Sequence, residues 1–236
     1  MDKKIFWKLI DKVNIISNIS NKSEILKNME NELMRYSLNE IVEWENIYDY
    51  YKELAKKEII YAAAVIINVV VSEDGYDYFR AWLISKGHKT YMEALKSPDS
   101  LVKINCDSGT AFFELYNYVA RYAYLKKAFL ENIETEDLYK SCGEWLASKK
   151  SFIDIVFNDV GVQYEKYAYQ QAKELYNSLY SHIRNKLFKY LIYHEPLSEA
   201  KKKEIQTEIE FAPEITNEWE ISDIEELMPN LYKKYF

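Results

Sequence analysis

The stretch from Ser72 to Leu101 concentrates the side chains of this sequence that could do chemistry. Carboxylates, an arginine and a histidine lie close together there, among aromatic rings. The candidate ligand or interface residues are Glu73, Asp74, Asp77, Tyr78, Arg80, Trp82 and His88. Carboxylates can bind a cation, an arginine can bind an anion, and a histidine titrates near neutral pH. The pattern therefore raises the hypothesis of a cation or small-ligand site, although it assigns no residue a catalytic role.

The same spacing has a structural interpretation, which we favour. Asp74 and Asp77 have the spacing of an N-cap and a third helical position, and Glu73 lies beside the same helix start. Negative charge there satisfies free N–H groups and complements the helix dipole. Arg80 follows Asp77 by one helical turn, so the two side chains can pair on one face. The charges are therefore interpreted mainly as a helix cap, with a ligand site as the alternative.

The remaining candidates of this block also fit a helix. Tyr78 and Trp82 are one helical turn apart, which is typical of a stripe that packs into a core. Gly87 is predicted to follow the end of this helix as part of a C-terminal cap. His88 then lies beside the helix end, where we interpret it as a surface or capping histidine. A stacking platform and a catalytic histidine are the alternatives.

Other catalytic patterns are incomplete in this sequence. The "HEP" stretch at His194 lacks the second histidine that a zinc-binding helix needs. Cys106 and Cys142 are far apart and belong to no recognisable motif. The sequence has neither a glycine-rich phosphate loop nor a nucleophile elbow. We therefore predict no metal and no cofactor, and we favour a non-enzymatic protein while leaving catalysis open.

The elements that must position these residues are predicted to be helices. The sequence has 22 Tyr, 10 Phe and 5 Trp but only 5 Gly and 4 Pro. So few breakers favour long helices with short connections, because all-β chains need more turn residues. The apolar run from Ile59 to Val71 is interpreted as a buried helix, with a short strand near 66–71 as the alternative for its end. The predicted fold is all-α, an irregular multi-helix bundle of about 8–10 helices.

Capping patterns predict where several of these helices begin. Ser37 followed by Glu40 forms a capping box, in which the hydroxyl and the carboxylate each accept from the other residue's backbone N–H. Ser222 followed by Glu225 has the same spacing. Both patterns therefore predict a helix that starts directly after the serine.

The chain is predicted to fall into three segments. Residues 1–104 form a helical domain with the block described above, and residues 105–194 continue it on the same core. Residues 195–236 form an acidic segment with a short final helix. This segment has eleven acids and five bases, whereas the whole chain has a net charge of −7. The sequence does not decide whether residues 105–194 form a separate lobe.

The block around Ser72 also resembles a known family. The resemblance is carried by "SEDGYDYFRAWLISKG", "YMEAL" and "SPDSL", together with the N-terminal "FWKLID" and the closing "PNLYKKYF". These stretches are similar to the bacterial domain-of-unknown-function family 4240, although residues 105–215 look longer than the family core. The resemblance implies a bacterial, cytoplasmic helical domain. It brings no established activity, so no catalytic residue can be transferred.

The leading functional hypothesis is a protein-binding module that acts as an immunity or regulatory partner. An acidic segment can steer a basic protein, and tyrosine-rich helices suit a protein interface. The alternatives are an unrecognised enzyme or small-ligand binder that uses the 73–88 cluster, and a nucleic-acid-associated accessory protein. Acidity disfavours nucleic acid as a partner, although Arg184, Lys186 and Lys189 form a basic face. With no signal-peptide core and no long apolar span, we expect a cytoplasmic location and no membrane partner.

Overall fold

The computed structural model describes residues 1–130, 196–215 and 219–236, and every regular element in these ranges is helical. The prediction of an all-α multi-helix fold is therefore confirmed. The α-helices are α1 (Lys3–Ile16), α2 (Lys22–Leu33), α3 (Leu38–Leu54), α4 (Glu58–Asn68), α5 (Glu73–Ser85), α6 (His88–Lys96), α7 (Val119–Leu130), α8 (Glu199–Gln206), α9 (Ile221–Leu227) and α10 (Pro229–Tyr235). Short 3-10 helices cover Pro98–Lys103 and Glu114–Tyr118.

The end of the apolar run is helical, and the strand considered for residues 66–71 does not form. Helix α4 continues to Asn68, and residues 69–71 make an irregular link to α5. The buried Asn68 side chain ends the helix, because its amide donates to the carbonyl oxygen of Ala64 (3.1 Å) and its oxygen accepts from the N–H of Ala111 (3.0 Å). These contacts accompany a helical end of the run, although its Val- and Ile-rich sequence would also suit a strand.

Two compact units make up the chain. The first, unit 1, consists of Met1–Ile15, Asn46–Tyr118 and Leu197–Phe236, and the second, unit 2, of Ile16–Glu45 and Val119–Pro196. The division at residues 104 and 194 that the sequence suggested stays a prediction. The helices predicted between residues 131 and 195 lie outside the described residues.

Helix α4 lies at the centre of unit 1. Its sequence "EIIYAAAVIIN" is apolar on nearly every side, which is typical of a helix buried all round. It contacts α5, the 3-10 helix Pro98–Lys103 and α10. The last contact brings the C-terminal end of the chain onto the core, where Met228 and Leu231 are fully buried. Unit 1 is thus completed by three separate pieces of the sequence.

The capping patterns have mixed outcomes. In unit 2 the Ser37–Glu40 box is confirmed, because Ser37 N–H donates to the Glu40 carboxylate (2.9 Å) and Glu40 N–H donates to the Ser37 hydroxyl (3.3 Å). The Ser37 hydroxyl also donates to the Glu40 carboxylate (2.7 Å), and this bond together with the one from the Ser37 N–H lowers the pKa of Glu40. The Ser222–Glu225 prediction is wrong, because α9 begins two residues earlier than that box requires. The capping box of α9 is formed by Glu220 and Asp223, which have the same three-residue spacing. Glu220 N–H donates there to the carboxylate of Asp223 (2.9 Å).

The described helices differ in length and apolar character from a membrane-spanning helix. Among them no single helix is both long enough and apolar enough to cross a bilayer; α4 and α5 reach that length only as a pair bent by 93°.

Candidate functional site

The start of α5 is capped by Ser72. Its hydroxyl accepts a hydrogen bond from the N–H of Gly75 (3.0 Å), so Glu73 and Asp74 are the first two residues of the helix. The prediction of Asp74 as the N-cap is therefore wrong by two positions, because the serine hydroxyl takes that role. Glu73 and Asp74 are exposed, and neither side chain makes a hydrogen bond to another described residue. Their charges complement the helix dipole, as expected.

Asp77 and Arg80 lie in a half-buried hydrogen-bonded cluster that we call the Asp77 network. Arg80 Nη2 donates to Asp77 Oδ1 (3.0 Å), which confirms the predicted pair. Asn117 Nδ2 donates to Asp77 Oδ2 (2.9 Å), and Lys52 Nζ lies 3.3 Å from the same oxygen. Tyr48 completes the network by donating to Asn117 Oδ1 (2.8 Å). The network joins α3, α5 and the 3-10 helix Glu114–Tyr118, and all of its residues belong to unit 1.

The charges of the Asp77 network are paired, although its two cations outnumber its single carboxylate. One carboxylate is shared by two cations, and the side chains of Arg80, Lys52 and Asp77 are 9%, 19% and 31% exposed. Arg80 also donates through Nη1 to the carbonyl oxygen of Lys52 (2.9 Å). Since each charged group already has an opposite charge within reach, the burial of all three is explained by their mutual pairing. The edge formed by Lys52 and Asp77 is the part that reaches solvent.

Tyr76 extends this arrangement toward the link between α3 and α4. The guanidinium of Arg80 lies 4.8 Å from the centre of the Tyr76 ring, within cation–π range. The Tyr76 hydroxyl accepts from the N–H of Lys57 (3.0 Å) and lies 2.8 Å from the same residue's carbonyl oxygen. Burial raises the pKa of Tyr76 well above its usual range. The contacts of Arg80 and Tyr76 therefore fasten α5 to the end of α3 and the start of α4.

Tyr78 and Trp82 are used for packing. Trp82 is fully buried and stacks on Phe79 with ring centroids 5.3 Å apart, as the core interpretation predicts. Tyr78 is half-buried, and its carbonyl oxygen accepts from the N–H of Phe113 (2.9 Å). Burial and the neighbouring Glu114 carboxylate raise the pKa of Tyr78 to about 12. Neither ring is placed as an open stacking platform.

The junction between α5 and α6 is built around Gly87. Its N–H donates to the carbonyl oxygen of Ile84 (3.0 Å), so it follows the helix end as predicted. Its φ is +93°, and a Cβ atom added there would lie 2.4 Å from Asp11 Oδ1. The same oxygen accepts from the backbone N–H of His88 (3.1 Å), so that Asp11 serves the start of α6. The His88 ring lies 5.2 Å from the ring of Trp7.

The candidate residues are therefore not brought together as one site. Asp77 and Arg80 meet, whereas Glu73 and Asp74 face solvent and His88 contacts α1. Sequence reasoning missed the partners Lys52, Asn117 and Asp11, because each lies far along the chain and carries no motif of its own.

A second charged arrangement lies along the acidic C-terminal segment. Residues 208–215, which we call the strap, follow α8 without regular secondary structure. The N–H groups of Glu208 and Ile209 donate to the carbonyl oxygens of Ile205 and Gln206, so the strap begins in a turn after the helix. Glu208 pairs with Lys3 (2.9 Å), Glu210 with Lys96 (2.5 Å) and Glu214 with Lys57 (2.5 Å). All of these residues belong to unit 1. Through the strap, three of the eleven acids of residues 195–236 thus pair with lysines of other elements.

Within residues 1–130, 196–215 and 219–236, no group of three or more His, Cys, Asp or Glu side chains is arranged to hold a metal ion. Cys106 is a free thiol whose sulfur lies 3.1 Å from the Tyr235 hydroxyl. His194 and Cys142 lie outside the described residues, so the prediction of no metal and no cofactor stays a prediction.

Comparison with known families gives one match. A family model described as "Protein of unknown function (DUF4240)" matches residues 1–126, which is more than half of the 236 residues. The chain belongs to this family. No curated protein and no solved structure matches it significantly.

Membership of the DUF4240 family confirms the resemblance carried by the Ser72–Leu101 block, and the matched range contains all seven candidate residues. The match continues past residue 105, so any elaboration on the family core begins later than the sequence suggested. The similarity of the closing residues 219–236 to the family's end lies outside the match and stays a prediction. The family description names no activity, so it assigns no residue a role.

Proposed function

We propose that this chain is a non-enzymatic, protein-binding module of the bacterial cytoplasm that acts as an immunity or regulatory partner. The support is the use that the fold makes of the 73–88 cluster. Asp77 and Arg80 hold three elements together, Trp82 packs in the core, and the backbone of His88 is capped by Asp11. Because these groups serve the fold, the surface is the part of the protein that remains for recognition.

Helix α9 offers a surface of the kind that this function needs. Glu225 and Glu226 are exposed, and none of the hydrogen bonds or ion pairs between described side chains involves them. The neighbouring Leu227 is 47% exposed, whereas Ile224 and Met228 are fully buried and hold the helix on unit 1. An apolar side chain beside fixed acids suits a basic partner protein, which the charge would also steer.

Affinity capture from native cells tests this proposal. The wild-type chain should recover a specific basic protein at low salt, with less recovered at moderate salt because screening weakens steering. The variant E225K/E226K should lose that protein. The variant E53K/D107K, which reverses two exposed acids elsewhere on unit 1, should keep it. Recovery of no specific protein at either salt concentration, or equal recovery by both variants, contradicts the proposal.

A small-ligand binder is the second candidate, and the solvent-exposed edge of the Asp77 network favours it. Lys52 and Asp77 both reach water there, side by side. A thermal-shift screen with small organic anions and cations should then find a compound that stabilises the wild type but not D77N. If no compound raises the melting temperature of the wild type, this candidate fails. The basic face proposed for nucleic acid, at residues 184–189, lies outside the described residues.

A further inference from the structure

The strap lies on unit 1 in the way that an extended peptide lies on a receptor. The surface beneath it carries three lysines from different elements: Lys3 begins α1, Lys57 is the N-cap of α4 and Lys96 ends α6. We call them the lysine row. Three glutamates of the strap reach one lysine each. The spacing of charges along an extended chain is thus matched by a spacing of opposite charges across three helices.

Two further contacts hold the strap on unit 1, one through its backbone and one through an aromatic ring. The N–H of Ala212 donates to the carbonyl oxygen of Leu95 (2.7 Å), close to the end of α6, where carbonyl groups lack helical partners. The ring of Phe211 lies 5.2 Å from Lys57 Nζ, within cation–π range. Pro213 favours extended chain at the residue before it. The surface therefore recognises an extended segment with spaced acids and one aromatic ring, which in this chain reads "EIEFAPE".

The strap is held weakly compared with the helices on either side of it. Lys96 and Glu210 are 63% and 71% exposed, and exposed ion pairs contribute little to stability. Phe211 remains 42% exposed, so it buries little apolar surface. By contrast, Ile205 of α8 and Ile224 of α9 are almost fully buried and anchor the chain before and after the strap. Glu208 is the exception, because its carboxylate pairs with the largely buried Lys3 and accepts from the Tyr51 hydroxyl (2.7 Å). Residues 209–215 can therefore leave Lys57 and Lys96 while Glu208 and both flanking helices stay docked.

We infer that the lysine row is a binding surface for an extended acidic segment of a partner protein, and that the strap is a built-in competitor for it. The inference goes beyond the proposed function, because it concerns a second surface that is opposite in charge to α9. A tethered segment acts at an effective concentration on the order of millimolar. A partner segment therefore occupies the lysine row only if it binds more tightly than the strap, or if the binding of the strap to the row is weakened.

Binding of a defined peptide to the full chain tests this inference. The probe is a fluorescently labelled peptide with the sequence of residues 207–215, and its control has each glutamate replaced by glutamine. Fluorescence anisotropy at low salt measures the affinity. The variant E210Q/E214Q weakens the strap and should bind the acidic probe at least about 10-fold more tightly than the wild type does. Adding K57Q/K96Q to that variant should abolish the gain.

A matched control has the same change in charge at a different place. The variant E225Q/E226Q neutralises two acids of α9 and should bind the probe as weakly as the wild type. The single variants E210Q and E214Q should each show part of the increase in affinity for the probe. They therefore test the inference if the double variant does not fold. Because the probe is defined, the result does not depend on whether α9 captures a basic protein.

Three outcomes would overturn the inference. Equal affinity of E210Q/E214Q and the wild type would show that the strap does not compete. Equal binding of the glutamine peptide would show that the lysines do not recognise its acids. Preferential binding of a single-stranded oligonucleotide of similar charge would show that the row recognises phosphates rather than an acidic peptide.

Discussion

The Asp77 network and the strap both join acids to bases in unit 1, yet they hold the chain in different ways. In the network, one carboxylate is shared by an arginine, a lysine and an asparagine amide that are partly or largely removed from water. In the strap, each glutamate meets a lysine, the Glu210 pair lies largely in solvent and the Glu214 pair is partly exposed. Breaking a buried pair leaves an uncompensated charge, whereas breaking an exposed pair returns two ions to water. Burial therefore decides which arrangement is structural and which is exchangeable.

Removing Arg80 should have the largest effect. The variant R80A leaves Asp77 and the carbonyl oxygen of Lys52 without a main donor, so we expect a loss of about 3 kcal/mol in the free energy of unfolding. Urea unfolding followed by circular dichroism measures it. The variant R80K keeps the charge but loses the fork that reaches both acceptors, and it should lie between R80A and the wild type. A loss below about 1 kcal/mol for R80A would mean that the network does not stabilise the fold.

Gly87 tests the junction between α5 and α6 through the backbone. The variant G87A must adopt a φ of +93° and place a methyl group against the Asp11 carboxylate, so we expect a loss of about 2 kcal/mol. Gly109 is the matched control, since its φ is +76° but a Cβ atom there meets nothing within 4 Å. G109A should cost about 1 kcal/mol, from the backbone alone. Equal losses in the two variants would contradict the close approach of Asp11.

The pH dependence of stability should test the surroundings of the Tyr78 side chain. Because the pKa of Tyr78 is raised to about 12, folding favours its neutral form. This contribution is fully present below the unfolded pKa near 10 and is lost as the pH rises through about 12. The wild type should therefore lose more stability than Y78F between about pH 9 and about pH 11.5 in urea unfolding. Parallel curves for the two proteins would count against the burial of this ring.

Weakening the strap should have the smallest effect on stability. The variant E210Q/E214Q should change the free energy of unfolding by less than about 1 kcal/mol, because both pairs are exposed. Hydrogen exchange of the Ala212 amide should nevertheless become faster, while the amides inside α4 stay protected. The variant E225Q/E226Q is the control and should leave Ala212 unchanged. A large loss of global stability in E210Q/E214Q would make the strap a structural element like the network.

Short-range features were predictable from the sequence. The all-α fold follows from few breakers and helical spacing, and the Asp77–Arg80 pair follows from one turn of helix. Cap positions were less certain, because several residues near a helix start can accept from its N–H groups. For this reason the N-cap of α5 is Ser72 rather than Asp74. The capping box of α9 is likewise formed by Glu220 and Asp223 rather than at Ser222.

Long-range partners were not predictable, because spacing carries no information about which distant residues meet. Lys52 and Asn117 become neighbours of Asp77 only when α3 and the 3-10 helix Glu114–Tyr118 pack on α5. The acids of residues 195–236 were interpreted as a surface for a basic partner, yet three of them, all in the strap, face the chain's own lysines. An excess of acids in a segment does not show whether opposite charges lie beneath it.

The order of synthesis matters for unit 1, because its pieces lie far apart along the chain. Helix α4 ends at Asn68, and its neighbour α10 starts at Pro229. At roughly 5–20 residues per second, a ribosome adds the intervening chain in about 10–30 s. During that interval the apolar side of α4 that α10 later covers has no cover from it. A newly made chain therefore exposes part of the apolar surface of α4 until α10 has emerged, and chaperones that bind nascent chains have that long to act.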